Sequence, residues 1–169
     1  MRLSTKQLYQ LMLSLCASIL VLAAPLKAET VDQILTLNDD SVDAFLVEMI
    51  SEYQRFQQEV IDYRRLYEER GDHRGYMVWR QNAFSPTVRS RNEYYQTILE
   101  QNRKFVETRQ LEGVFAVFDS LERFSIDVMQ AFVEQDIEAI TNARSTLNTN
   151  RQVIEELQLN RDLEFEPAK

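Results

Sequence analysis

The chain has 169 residues, 19 basic against 27 acidic, a net charge of −8 and 44% hydrophobic residues. That balance suits a single domain with its own core and works against nucleic acid, whose phosphates an acidic surface repels. One cysteine excludes a disulfide framework within the chain.

Residues 1–28 read as an export signal. Arg2 and Lys6 give a positive start, Leu8 to Ala24 is an uncharged apolar run, and Pro25-Leu26-Lys27-Ala28 ends on a small residue suited to signal peptidase. The alternative is an uncleaved segment that anchors the protein, against which the run is short for a span and carries Gln10, Ser14 and Ser18. A lipid on Cys16 is disfavoured by the bulky Leu15 before it. Cleavage removes Arg2, Lys6 and Lys27 and no acid, which leaves 16 basic residues against 27 acidic ones and a net charge of −11. The mature chain then lacks cysteine and any Asn-x-Ser/Thr acceptor. A bacterial periplasm is the expected location, with no stable membrane insertion after cleavage.

Glycine occurs three times, and proline after the signal only at Pro86 and Pro167, which predicts long helices over residues 29–161. Val31, Ile34, Leu35 and Leu37 suggest a short leading helix. The first long helix carries Val42, Leu46, Met49, Tyr53, Phe56, Val60, Tyr63 and Tyr67 at alternating spacings of four and three. Ser41 is its expected N-cap and Gly71 its stop. A second helix is expected to open at Ser85-Pro86, serine capping and proline in the first turn, and to continue through Val88, Tyr95, Ile98 and Phe105. A turn near residues 108–113 precedes a third helix with the widest apolar face, Leu111 to Phe132. Asp136 caps a fourth through Ile140, Ala143, Leu147, Asn150, Ile154 and Leu157. The expected fold is all-α: an antiparallel four-helix bundle, up-down-up-down, with one long loop between helices 1 and 2 and a flexible tail over 162–169. Asn102, Ser125 and Asn150 occupy seam slots and are expected to fix register.

The chemistry search mainly excludes. His73 is the only histidine, so a two-histidine zinc helix and a paired Glu-x-x-His di-iron site cannot be built in one chain. The wide spacing of Gly71, Gly75 and Gly113 removes dinucleotide and phosphate loops, and no Gly-x-Ser-x-Gly elbow occurs. Asp39, Ser41 and Asp43 open like a calcium loop but fail at Ala44 and Ile50. No metal, cofactor or catalytic residue is expected.

The connection from Gly71 to Phe84 stands out for length and content. From Arg70 to Arg91 there are five arginines and one acid, Asp72, in a chain otherwise rich in acids. His73, Arg74, Trp79, Arg80, Arg89, Arg91 and Tyr94 are the candidate binding residues, the arginines for an anionic group and the rings for flat amphipathic contact. The competing expectation is a lid, with Trp79 and Phe84 plugging the core and the arginines neutralising acids. The function expected is that of an exported, non-enzymatic binding or adaptor protein of the bacterial envelope, meeting a protein partner or a small anionic ligand through this end. The alternative is a sensor-like bundle that binds a small anionic or aromatic ligand.

Overall fold

Scarcity of breakers yields helices: the computed structural model describes residues 35–164, and these are all-α with no strand among them. The expected export signal, the positions Val31 and Ile34, and residues 165–169 lie outside the described residues. The elements are α1 (Val42–Glu69), α2 (His73–Trp79), a π-helical turn (Arg80–Phe84), α3 (Ser85–Gln101), α4 (Arg103–Arg109), α5 (Glu112–Val133) and α6 (Ile137–Arg161).

The stripe of α1 is buried as its spacing predicts, Val42, Leu46, Met49, Tyr53, Phe56 and Val60 facing inward. Gly71 ends the helix at φ 62, a left-handed conformation that costs glycine nothing. At the other end Ser41 stands in the N-cap position without capping. Its hydroxyl instead accepts from the Asn38 N–H at 3.1 Å, while Asn38 Oδ1 accepts from the Asp40 and Ser41 N–H groups at 3.0 Å. Asn38 therefore builds the turn, and Ser41 follows it.

The expected loop from Gly71 to Phe84 is helix. Asp72 caps α2 by accepting from the Gly75 N–H at 2.8 Å, and α2 runs through the π-helical turn straight into α3. Phe84 has φ −67 and ψ −57, so Ser85 continues a helix and caps nothing. Pro86 explains the widened turn. A proline inside a helix lacks the N–H and crowds the carbonyl four residues back, and a π-turn just before it relieves both faults. The Ser85 N–H reaches back to the Arg80 carbonyl, and the Thr87 hydroxyl donates to the Ala83 carbonyl at 2.8 Å.

Asn102 interrupts the expected second helix, separating α3 from α4 at φ −106, ψ 15. Its buried side chain accepts from the Leu37 N–H at 2.7 Å and donates to the Leu35 and Ile98 carbonyls at 2.9 Å. This clamp replaces the expected leading helix over its described part: Leu35 to Asn38 is irregular, with Leu37 buried in the core. The turns at Gln110 (φ 56) and Gln135 (φ 56) fall where the stripe breaks, and Asp136 caps α6 through the Glu138 and Ala139 N–H groups.

The core centres on α5, which packs against α1, α3 and α6. Val114, Phe115, Val117, Phe118, Leu121 and Phe124 are all buried, and Phe118 meets Tyr95 at 4.5 Å and Phe56 at 6.2 Å between ring centres. Polar links tie neighbours across the seams. Arg161 of α6 pairs with Asp43 of α1 at 2.6 Å, and the buried Asn150 donates to the Tyr53 hydroxyl at 2.9 Å and to Ser120 Oγ at 2.7 Å. Leu163, in the described part of the tail, packs against the core.

Replacing Asn102 by Leu leaves the Leu37 N–H buried and unpaired, which costs about 1–3 kcal/mol. The urea unfolding midpoint falls accordingly, and limited proteolysis ahead of Val42 speeds up relative to wild type.

Candidate functional site at the capped end

Gly71 to Phe84 closes one end of the helices, and its aromatic side chains turn inward. Tyr76 and Phe84 are buried. Trp79 stacks on Tyr63 of α1 at 4.2 Å and 5°, and sits 5.3 Å from Phe84 and 5.4 Å from Tyr76. Tyr67 meets Tyr76 edge-on at 6.1 Å, and Phe132 of α5 completes the cluster 5.6 Å from Tyr76. Gly75 belongs to the same packing: a Cβ there would strike the Asp72 carboxyl and the Tyr67 ring, so the helix cap and the ring contact both require glycine.

The candidate arginines do not converge. Arg89 grips Glu122 of α5 with Nε at 2.8 and 3.0 Å from the two carboxylate oxygens and a further Nη2 contact. Arg91 donates from Nε to Glu52 of α1 at 2.7 Å and from Nη2 to the Tyr95 hydroxyl at 3.3 Å, and the Tyr95 hydroxyl donates to the same Glu52 oxygen at 2.8 Å. Tyr94, exposed, lies beneath the Arg91 guanidinium at 4.9 Å. These three form a strut along α3. His73 is exposed, with its ring 4.5 Å from Phe132, and Arg74 is exposed beside it with no carboxylate in ion-pair reach among the described residues.

Arg80 differs from all of them. It is half-buried on the π-turn, its Nη1 donates to Ser85 Oγ at 3.2 Å and Ser125 Oγ at 3.4 Å, and its Nε is buried with no acceptor. No carboxylate of the described residues makes an ion pair with it. The charge of Arg80 does reach Glu122, yet that carboxylate is already held by Arg89. One turn back, the Tyr76 hydroxyl is also buried and unpartnered. Burial drives the Tyr76 ionisation far above its ordinary range despite the nearby Arg80 and Arg64 charges, so the phenol stays protonated and is a donor. Tyr95 is driven the same way by burial and by Glu52.

A guanidinium with spare N–H groups, the Ser85 hydroxyl and a neutral phenol make an anion-attracting cluster, while the Ser125 hydroxyl donates to the Glu122 carbonyl at 2.7 Å and only accepts from Arg80. Arg80 and Trp79 are candidates from the sequence; Tyr76 stands in the same segment, while Ser85 is expected there as a cap and Ser125 as a register residue. The three-residue spacing of Tyr76 and Trp79 behind an Asp72 cap is the signal that Gly71–Phe84 is helical. Nothing in spacing alone brings Ser125, 45 positions away, to Arg80. Asp127 of α5 is a second buried group that pattern did not flag, with Arg123 Nε 3.0 Å from Oδ1 at an angle too poor for a hydrogen bond.

The Arg89 contact holds the Glu122 carboxyl below the ordinary carboxylate range. A depressed folded-state pKa adds stability that is complete above the unfolded-state pKa, near 4.3 on the general scale for Glu at about that value, and is lost as pH falls through the folded one. Glu122→Gln is therefore less stable than wild type at neutral pH, and the two thermal midpoints converge below the pH at which Glu122 protonates.

Compared with family models, with curated proteins and with solved structures, the chain finds no match, so function is argued from these side chains themselves.

Proposed function

We propose that the protein is an exported, non-enzymatic binding or adaptor protein of the bacterial envelope, whose capped end takes an anionic group from a protein partner or small ligand at Arg80. The observation that carries this is the half-buried guanidinium with hydroxyl partners only, its Nε buried without an acceptor. A desolvated cation without a counter-ion is costly, and removing that cost favours an incoming carboxylate or phosphate. Tyr76 supplies a second unused donor, and a π-turn, often found where a helix carries function, presents the arginine. Arg70 and Arg74, exposed at the same end, add attraction without fixed partners among the described residues.

The scaffold we propose is the up-down-up-down four-helix bundle made by α1, α3, α5 and α6. Three sets of contacts support it. Asp43 with Arg161 and Tyr53 with Asn150 run α6 against α1 in opposite directions. Arg89 with Glu122 and Asn92 with Asp119 do the same for α3 and α5. Phe45 with Tyr95 and Glu52 with Arg91 do so for α1 and α3. Residues 1–28, with their positive start and apolar run, support export to the periplasm.

Thermal unfolding with added acetate or inorganic phosphate, ionic strength held with sodium chloride, tests the site. Wild type gains a few degrees, because a ligand bound only to the folded state stabilises it. Arg80→Met loses that gain, and keeps or exceeds the wild-type midpoint without anion, since it removes an unsatisfied buried charge. An anion response equal in both proteins removes Arg80 as the site.

A further inference from the structure

Away from the capped end, a half-open groove of 440 Å³ separates α1 from α6. Its α1 wall is Tyr53, Gln54 and Gln57; its α6 wall is Leu147, Asn148, Arg151 and Ile154. The volume lies in the range of small-molecule sites, and the mixture of apolar floor and few polar groups is typical of them. We propose that this groove binds a small peptide-like acid: a molecule with an amide N–H, a branched apolar side chain and a carboxylate.

Each part of that description comes from a wall residue. Gln54 Oε1 is buried with no donor, a state that costs free energy until an N–H is supplied. Arg151 is the one charged residue in the lining, so the groove is a cationic spot on a chain of net charge −8. Its own engagements are weak: Nη2 donates to Asn148 Oδ1 at 3.2 Å, and the Glu155 carboxylate stands off at 3.8 Å. A guanidinium so placed is available for bidentate contact with a carboxylate. Leu147 and Ile154, seven residues apart on α6, are two turns along one face and give the groove apolar surface on either side of Arg151. Gln57 of α1 and Asn148 of α6 also line the groove, and their side-chain N–H groups suit a peptide carbonyl.

A buried polar network ties the two walls together. The hydrogen bonds from the buried Asn150 to Tyr53 and Ser120 fix α6 against α1 and α5 at this level. The site shares no residue with the Arg80 cluster, so either stands if the other falls.

Amide NMR titration of the purified protein tests the proposal with three probes: N-acetylleucine, its neutral analogue N-acetylleucinamide, and 4-methylpentanoate, which lacks the N–H. N-acetylleucine is expected to give saturable shifts confined to residues 53–57 and 147–154, with each of the other two probes weaker by about tenfold, the usual scale for one lost charge-assisted or buried hydrogen bond. Arg151→Gln then abolishes the preference for the acid over its amide, and Gln54→Leu abolishes the preference over 4-methylpentanoate. Both residues lie at the groove surface, and unchanged far-ultraviolet circular dichroism shows that the variants fold. Shifts that fail to saturate, that map elsewhere, that are equal for all three probes, or that survive unchanged in Arg151→Gln overturn the assignment.

Discussion

Phe118 lies between Tyr95 and Phe56, and Phe115 lies against Phe45, so one face of α5 carries the aromatic contacts that α1 and α3 need. Burying a side chain of this size is worth about 1.5–3 kcal/mol, and each ring pair adds about 0.5–1.5 kcal/mol. That face is the constraint on which the other helices depend. Any arrangement that keeps α1, α3 and α6 in reach of α5 must also accommodate the polar groups on their seams. Glu52, Arg91 and Tyr95 solve this on one side by sharing one carboxylate oxygen between a guanidinium and a phenol. Tyr53, Asn150 and Ser120 solve it on another with neutral groups only.

Satisfied seam networks give the few unsatisfied groups their meaning. A buried polar atom without a partner costs about 1–3 kcal/mol. Where Asn102 must hold a segment in place, both functions of its amide find partners. Arg80, Tyr76, Gln54, Asn92 and Asp127 each leave a buried polar atom without a partner. Arg80 and Tyr76 are one helical turn apart, and the π-turn between Trp79 and Ser85 is the only non-α helical stretch among the described helices. Arg80 and Tyr76 bring unused donors together at one place, whereas Gln54, Asn92 and Asp127 leave acceptors unused elsewhere.

The parts of this fold that were legible from sequence are those decided by local physics. The α1 stripe, the glycine stop at Gly71, the Asp136 cap and the break near Gln110 all follow from periodicity and backbone preference. Two misreadings share a cause. Gly71 and Gly75 read as a loop and Ser85-Pro86 as a helix start, while the earlier start lies at Asp72, a cap of the same kind as Asp136. Gly75 is there because Asp72 and Tyr67 leave no room for a Cβ, and Pro86 is tolerated because the chain widens by one residue before it. At the candidate site, Arg80 and Trp79 were readable as residue types in an unusual segment. Which arginine stays without a carboxylate was not, because it depends on Glu52 and Glu122 reaching Arg91 and Arg89 from 39 and 33 positions away.

Those long-range pairings also resolve a conflict between local and overall charge. The segment from Arg70 to Arg91 is strongly basic by count, in a chain whose net charge is −8. Once Arg89 and Arg91 are neutralised on α3, the segment is left with Arg70, Arg74 and Arg80 against Asp72 at the capped end. At physiological ionic strength, exposed charges more than about 8 Å apart are largely screened from one another, so the acidic remainder of the surface has little influence there. Exposed Arg70 and Arg74 are screened as well. Arg80 is less so, because half of its surroundings are protein, and its serine partners carry no countercharge. If the proposed anion binds at this end, the half-buried guanidinium discriminates it more than the exposed ones do, and its affinity depends less on salt than that of a purely surface patch.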